Sequence, residues 1–166
     1  YEENGELVKG SIMLPPGKKP FVLSVDDVSY YEYMEGHGFA TKIIIGEDGI
    51  PTCEMEMEDG TTQTGAFDVV PLLEQFIAEH PDFSYQGARG IIALTGYDGI
   101  LGYRTAPKYG DPSDENYKDW YATLDVEEER EQATAVAARM EELGWEFASH
   151  SWGHRDMGEA TLENMK

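Results

Sequence analysis

Residues 125–144 constrain the fold most tightly. Asp125 is a helix N-cap residue, Glu127, Glu128 and Glu129 follow at the positive end of a helix dipole, and Gly144 supplies a left-handed stop. Between them Ala133, Val136, Ala137, Met140 and Leu143 recur on one stripe, which predicts a helix over 126–143. Residues 145–149 then read as a strand. Two further apolar runs, 21–25 (Phe-Val-Leu-Ser-Val) and 90–95 (Gly-Ile-Ile-Ala-Leu-Thr), read as buried strands. Between these lies a second predicted helix, capped by Asp68 and ended by His80-Pro81, with Val69, Leu72, Leu73, Phe76 and Ile77 at helical spacing. The order strand, helix, strand, helix, strand predicts an α/β chain built of parallel βα units.

The region 36–65 reads as an insert in this order. Residues 41–45 and 52–57 form two strands around Glu47-Asp48-Gly49, because Asp-Gly supplies the positive φ that a tight hairpin needs. In the second strand Cys53, Met55 and Met57 alternate with Thr52, Glu54 and Glu56, the pattern of a half-buried strand. A second turn, Asp59-Gly60, follows. Residues 28–38 hold a tyrosine cluster (Tyr30, Tyr31, Tyr33) and Gly36-His37-Gly38. Residues 96–122 form a long loop rich in Gly, Tyr, Pro and Asp, and loops of this length in compact domains are usually functional or mobile.

Composition narrows the function. The 166 residues suit one domain, and 40% hydrophobic content supports a packed core. With 12 Lys plus Arg against 33 Asp plus Glu, the formal charge is −21. Such a chain repels nucleic-acid phosphates and anionic membranes, and Gly17-Lys18-Lys19 is too short to make a basic patch. No apolar run approaches the ~20 residues of a membrane span. The single cysteine, Cys53, excludes an intramolecular disulfide and a thiolate zinc cluster. Tyr1 opens no signal-peptide pattern, and 161–166 reads as the first turns of a helix, so the expectation is of a processed or excised segment.

Two polar clusters end predicted parallel strands, the edge at which α/β folds place their sites. Asp26-Asp27 is one; His150 and His154, four residues apart, are the other. Each alone is ordinary, Asp-Asp as a turn or cap pair and His-x-x-x-His as a surface pair. Together, two imidazoles and one carboxylate make three ligands for a divalent ion and leave a position open, the arrangement of a catalytic zinc. The metal would lower the pKa of bound water, and the remaining aspartate would accept its proton. His37, between glycines, reads as a solvated turn residue and His80, before Pro81, as a residue suited to the dipole at a helix C-terminus; neither reads as a ligand. Tyr97, Tyr103 and Trp120 of the long loop are candidate substrate contacts, since aromatic faces stack on sugar rings; the alternative is that these tyrosines cap the edge of the core.

The run Phe21-Val22-Leu23-Ser24-Val25-Asp26-Asp27 resembles the first motif of the polysaccharide deacetylases, carbohydrate esterase family 4, a strand ending Thr-Phe-Asp-Asp. His150-Ser151-Trp152-Gly153-His154 is similar to the second motif, His-Ser/Thr-x-x-His. The resemblance implies a distorted (β/α) barrel, present in part and carrying the hairpin insert. It implies Asp26 as general base and Asp27, His150 and His154 as ligands of a divalent metal, Zn2+ above others. It also implies hydrolysis of N-acetyl groups on the aminosugars of a cell-wall or exopolysaccharide, at the cell surface or outside the cell. The family's later motifs, with a base-orienting Arg, oxyanion donors and a His general acid, are expected after His154. Arg104-Thr105-Ala106-Pro107 and Asp119-Trp120 precede the histidines and read as loop residues. A partial barrel would leave strand edges and apolar helix faces uncovered, to be met by the rest of the domain, a second copy or a partner. Such a segment alone would be a weak catalyst. A glycan-binding scaffold of the same fold, or a hydrolase of another C–N bond such as a cyclic amide, are the alternatives.

Overall fold

In the computed structural model, which describes residues 2–163, the strands form three separate sheets. β1 (Glu2–Glu3) and β2 (Glu6–Leu7) form a short antiparallel pair. β3 (Ser24–Asp26), β7 (Ile91–Leu94) and β8 (Glu146–Ser149) form a parallel sheet in the order β3-β7-β8. Between β3 and β7 in sequence, β4 (Lys42–Ile45), β5 (Pro51–Glu56) and β6 (Thr62–Gly65) form an antiparallel sheet, followed by α1 (Val69–Glu79). α2 (Val126–Leu143) leads into β8. The chain is therefore mixed α/β.

Local chemistry accounts for the boundaries. Gly49 has φ 76°, and Asp48 accepts from the Ile50 amide at 3.0 Å, which closes β4 onto β5. Asp59 repeats the device with the Thr61 amide at 3.0 Å, Gly60 having φ 79°. This second turn launches β6, a third strand where the sequence reading stops at the turn. Asp125 Oδ1 accepts from the Glu127 and Glu128 amides, both at 3.1 Å. Gly144 (φ 103°) ends α2, and a Cβ there would lie 2.3 Å from the Gly87 carbonyl oxygen. The predicted bounds of this helix and the observed ones coincide.

The main core joins the parallel sheet to the β4–β6 sheet. Ile43, Cys53, Val70, Ile92 and Met140 are wholly buried in it, and Trp145 packs among them. Ala133, Val136 and Met140 form the buried stripe of α2.

Three expectations need correction. The first strand is not buried over 21–25: pairing begins at Ser24↔Ile91, and Phe21 and Val22 are 70% and 74% exposed on the edge-strand approach. The buried face of α1 carries Val70, Pro71, Glu74 and Ile77, while Leu72 and Phe76 face solvent. Thr161–Glu163 is not helical, and Asn164, Met165 and Lys166 lie outside the described residues. Neither helix is long and apolar enough to cross a membrane.

Candidate metal centre

The two sequence motifs end the outer strands of the parallel sheet, β3 and β8, which flank β7. Asp26 is the last residue of β3. Asp27 donates its amide to the Ala93 carbonyl at 3.0 Å, extending the ladder by one step, and then turns away at φ 61°. A regular strand sends adjacent side chains to opposite faces. The left-handed Asp27 ends that alternation, and both carboxylates come within reach of the histidine loop.

That loop starts at His150, whose amide donates to the Leu94 carbonyl at 2.9 Å. Ser151 (φ 64°) and His154 (φ 54°) both lie in the left-handed region and fold 150–154 into a tight turn. The Trp152 carbonyl accepts from the amides of Gly96 (3.0 Å) and Tyr97 (2.9 Å), which clamps the middle of the turn to the end of β7. Gly96 and Gly153 permit this approach. A Cβ at Gly96 would sit 2.7 Å from the Trp152 ring, and one at Gly153 would sit 2.8 Å from the Tyr97 ring. Three non-glycine residues in left-handed conformations at one site represent backbone strain of the kind that gathers at functional positions.

The result is a cluster of donors. His154 Nε2 lies 2.9 Å from Asp27 Oδ1, and the His150 and His154 ring centroids are 4.9 Å apart at 77°. Ligand atoms of Asp27, His150 and His154 all lie within 4.8 Å of one another. Ligands at ~2.0–2.1 Å from one tetrahedral zinc sit about 3.3 Å apart, so sub-ångström to ångström adjustments of side chains would seat an ion. The donor set, two imidazoles and a carboxylate, suits zinc and leaves a coordination position open. The three side chains are 32–46% exposed, so a path from solvent exists. Asp26 stands beside the cluster, its Oδ2 3.9 Å from His150 Nε2. Among the described residues no other trio of His, Cys, Asp or Glu converges in this way. His37 and His80 are exposed and take no part, His80 being the C-cap of α1.

A groove of about 630 Å³ adjoins the histidine turn through Trp152. Of the three aromatic residues proposed as substrate contacts, Tyr97 lines it. Tyr103 does not: it is 3% exposed, its hydroxyl donates to the Ile43 carbonyl at 3.0 Å, and burial pushes its pKa up to about 12. Trp120 stacks edge-on against Tyr121 at 4.6 Å and is not part of the groove wall. Tyr31, Tyr33 and Trp152, for which sequence reasoning proposed no contact, line it instead. The crowding of tyrosines at 30, 31 and 33 was the available signal, but not their facing, because Tyr33 lies in a 3-10 turn, Glu32–Met34, that starts after Tyr31.

Arg104 is not a plain loop residue. It is 4% exposed, donates to Glu35 at 2.6 Å and to the Tyr30 carbonyl at 2.8 Å, and faces Asp98 at 3.5 Å. Asp98 in turn accepts from Lys108 (2.5 Å) and the Tyr109 hydroxyl (2.7 Å). Burial opposes ionisation of Asp98, but these donors and the two cations outweigh it and hold the carboxyl below the usual range. The long loop is tethered by this network.

Compared with models of protein families, with curated proteins and with solved structures, the chain matches none.

Proposed function

We propose that the chain is a metal-dependent hydrolase of the polysaccharide deacetylase type, acting on N-acetylated aminosugars of a cell-wall or exopolysaccharide outside the cell. The observation that carries this reading is the convergence of Asp27, His150 and His154, with Asp26 next to them, at the ends of β3 and β8. On this reading the parallel sheet is part of a distorted (β/α) barrel, and β4 to β6 are an insert on it.

Asp27, His150 and His154 would hold a divalent cation, zinc by donor type. When bound, the ion lowers the pKa of water and polarises an amide carbonyl. Asp26 is 59% exposed at its side chain and carries a carboxylate free to take the proton as that water attacks. The balance is simple: the water oxygen bonds to the acetyl carbon, the C–N bond breaks, the leaving nitrogen gains the proton that water lost, and acetate and a free amine depart. A chain of net charge −21 attracts the cation that this chemistry needs and the amine that it releases.

One observation favours the scaffold alternative. Among the described residues Asp26 has no hydrogen-bond donor to orient it, only the His150 ring at 3.9 Å. Acetate release from N-acetylated oligosaccharides by the full-length, zinc-loaded protein separates the two. Catalysis predicts release that falls by ~10²–10⁴ in Asp26→Asn with zinc retained. Zinc and glycan binding without release would leave the scaffold.

A further inference from the structure

The groove beside the histidine turn has a wall of a particular kind. Tyr31 stacks on Tyr33 at 5.7 Å and 10°, and on Tyr97 at 5.4 Å and 26°, so three rings form one ladder. The ladder is fixed from below. The Tyr31 hydroxyl and Ser29 Oγ each lie 3.2 Å from Thr95 Oγ1, and all three residues are buried. Its outer rung is open: Tyr33 is 74% exposed, with one face against Tyr31 and the other toward solvent. Trp152, 56% exposed, presents a second aromatic surface between the two histidines. An exposed ring stacked on a buried one that a hydroxyl network fixes is pre-organised for a ligand with apolar faces and polar edges.

Charge decides which ligand. The two groove lysines are each committed within the protein, Lys108 to Asp98 at 2.5 Å and Lys118 to Glu32. Asp114 adds a carboxylate whose described partners are the amide groups of Asn116. The groove therefore offers an anionic polymer no unpaired cation, and the net charge of −21 repels one. Its volume lies within the ~300–1,000 Å³ range of ligand clefts.

We infer that this groove is a glycan track for an uncharged N-acetylhexosamine chain, with Tyr33 and Trp152 as the two stacking platforms, and that it selects against uronate-bearing glycans. The inference rests on the deacetylase reading for the sugar class, yet its contacts are separate from the metal ligands.

The test is a calorimetric titration of the full chain, in chelator, with an N-acetylglucosamine tetramer and with a galacturonate tetramer. A parallel zinc titration is run without chelator. The uncharged tetramer binds, and the galacturonate tetramer binds at least about tenfold more weakly. Tyr33→Ala and Trp152→Ala each weaken the uncharged tetramer by about tenfold or more, with circular dichroism and zinc stoichiometry unchanged. His154→Ala loses zinc and keeps the glycan. Zinc binding with no affinity for the uncharged tetramer overturns the track and spares the metal centre. Equal affinity for both tetramers, or wild-type affinity in both platform variants, also overturns it. Glycan binding lost in the platform variants, with no zinc bound by the wild type, upholds the track and removes the hydrolase reading.

Discussion

Glu74 faces inward on α1 with 5% exposure, an uncommon place for a carboxylate. It is satisfied there: Trp145 Nε1 donates at 2.7 Å, and Arg89 donates through Nε and Nη2, both at 3.1 Å. Removing it strands an indole N–H and a guanidinium that is 14% exposed. Glu74→Ala is expected to cost about 3 kcal/mol in urea denaturation, with Glu74→Gln costing less because an acceptor remains. A loss under about 0.5 kcal/mol would show that this cluster does not hold α1. The same residue explains a sequence error. Apolar spacing puts Leu72 and Phe76 inside, but the pull of two donors on Glu74 belongs to residues distant in sequence and is invisible to periodicity. The meeting of Asp27, His150 and His154, with Asp26 beside them, was legible because their types and strand-end positions are local features. The left-handed turns at Asp27, Ser151 and His154 that bring them together were not, since non-glycine residues carry no reliable signal for positive φ.

Among the elements, α2 was readable to the residue, because its cap, stripe and glycine stop all agree. The long loop 96–122 was not. Its buried centre depends on Arg104, Asp98, Lys108 and Tyr109 meeting across turns, with Glu35 joining from another connection. Ala106, Tyr109 and Tyr121 pack as a small core of their own. Asp98 is ionised at lower pH in the folded chain than in the unfolded one, so its contribution is full above the ordinary carboxylate pKa, near ~3.9, and is lost as pH falls through the depressed folded value. Wild type should therefore exceed Asp98→Asn in stability at pH 7, and the gap should narrow below about pH 4. Urea midpoints across pH for both proteins check this. A gap that stays constant down to pH ~2 would mean that the network does not depend on the Asp98 charge.

At the scale of the whole molecule, the α/β class and the parallel set β3, β7 and β8 followed from the sequence, while β1, β2, β6 and the sharing of one core by a parallel and an antiparallel sheet did not. That sharing rests on Ile43, Cys53 and Ile92 meeting from three strands, a long-range packing outcome. The arrangement leaves Phe21, Val22, Leu72 and Phe76 exposed and carries the Asp27, His150 and His154 cluster at the ends of β3 and β8. The most direct test is calorimetric titration of the metal-stripped chain with zinc. The account predicts one site, weakened in Asp27→Ala, His150→Ala and His154→Ala by more than the ~10–100-fold that loss of a supporting partner costs. Equal zinc binding by the wild type and all three folded variants, or none by the folded wild type, would contradict it.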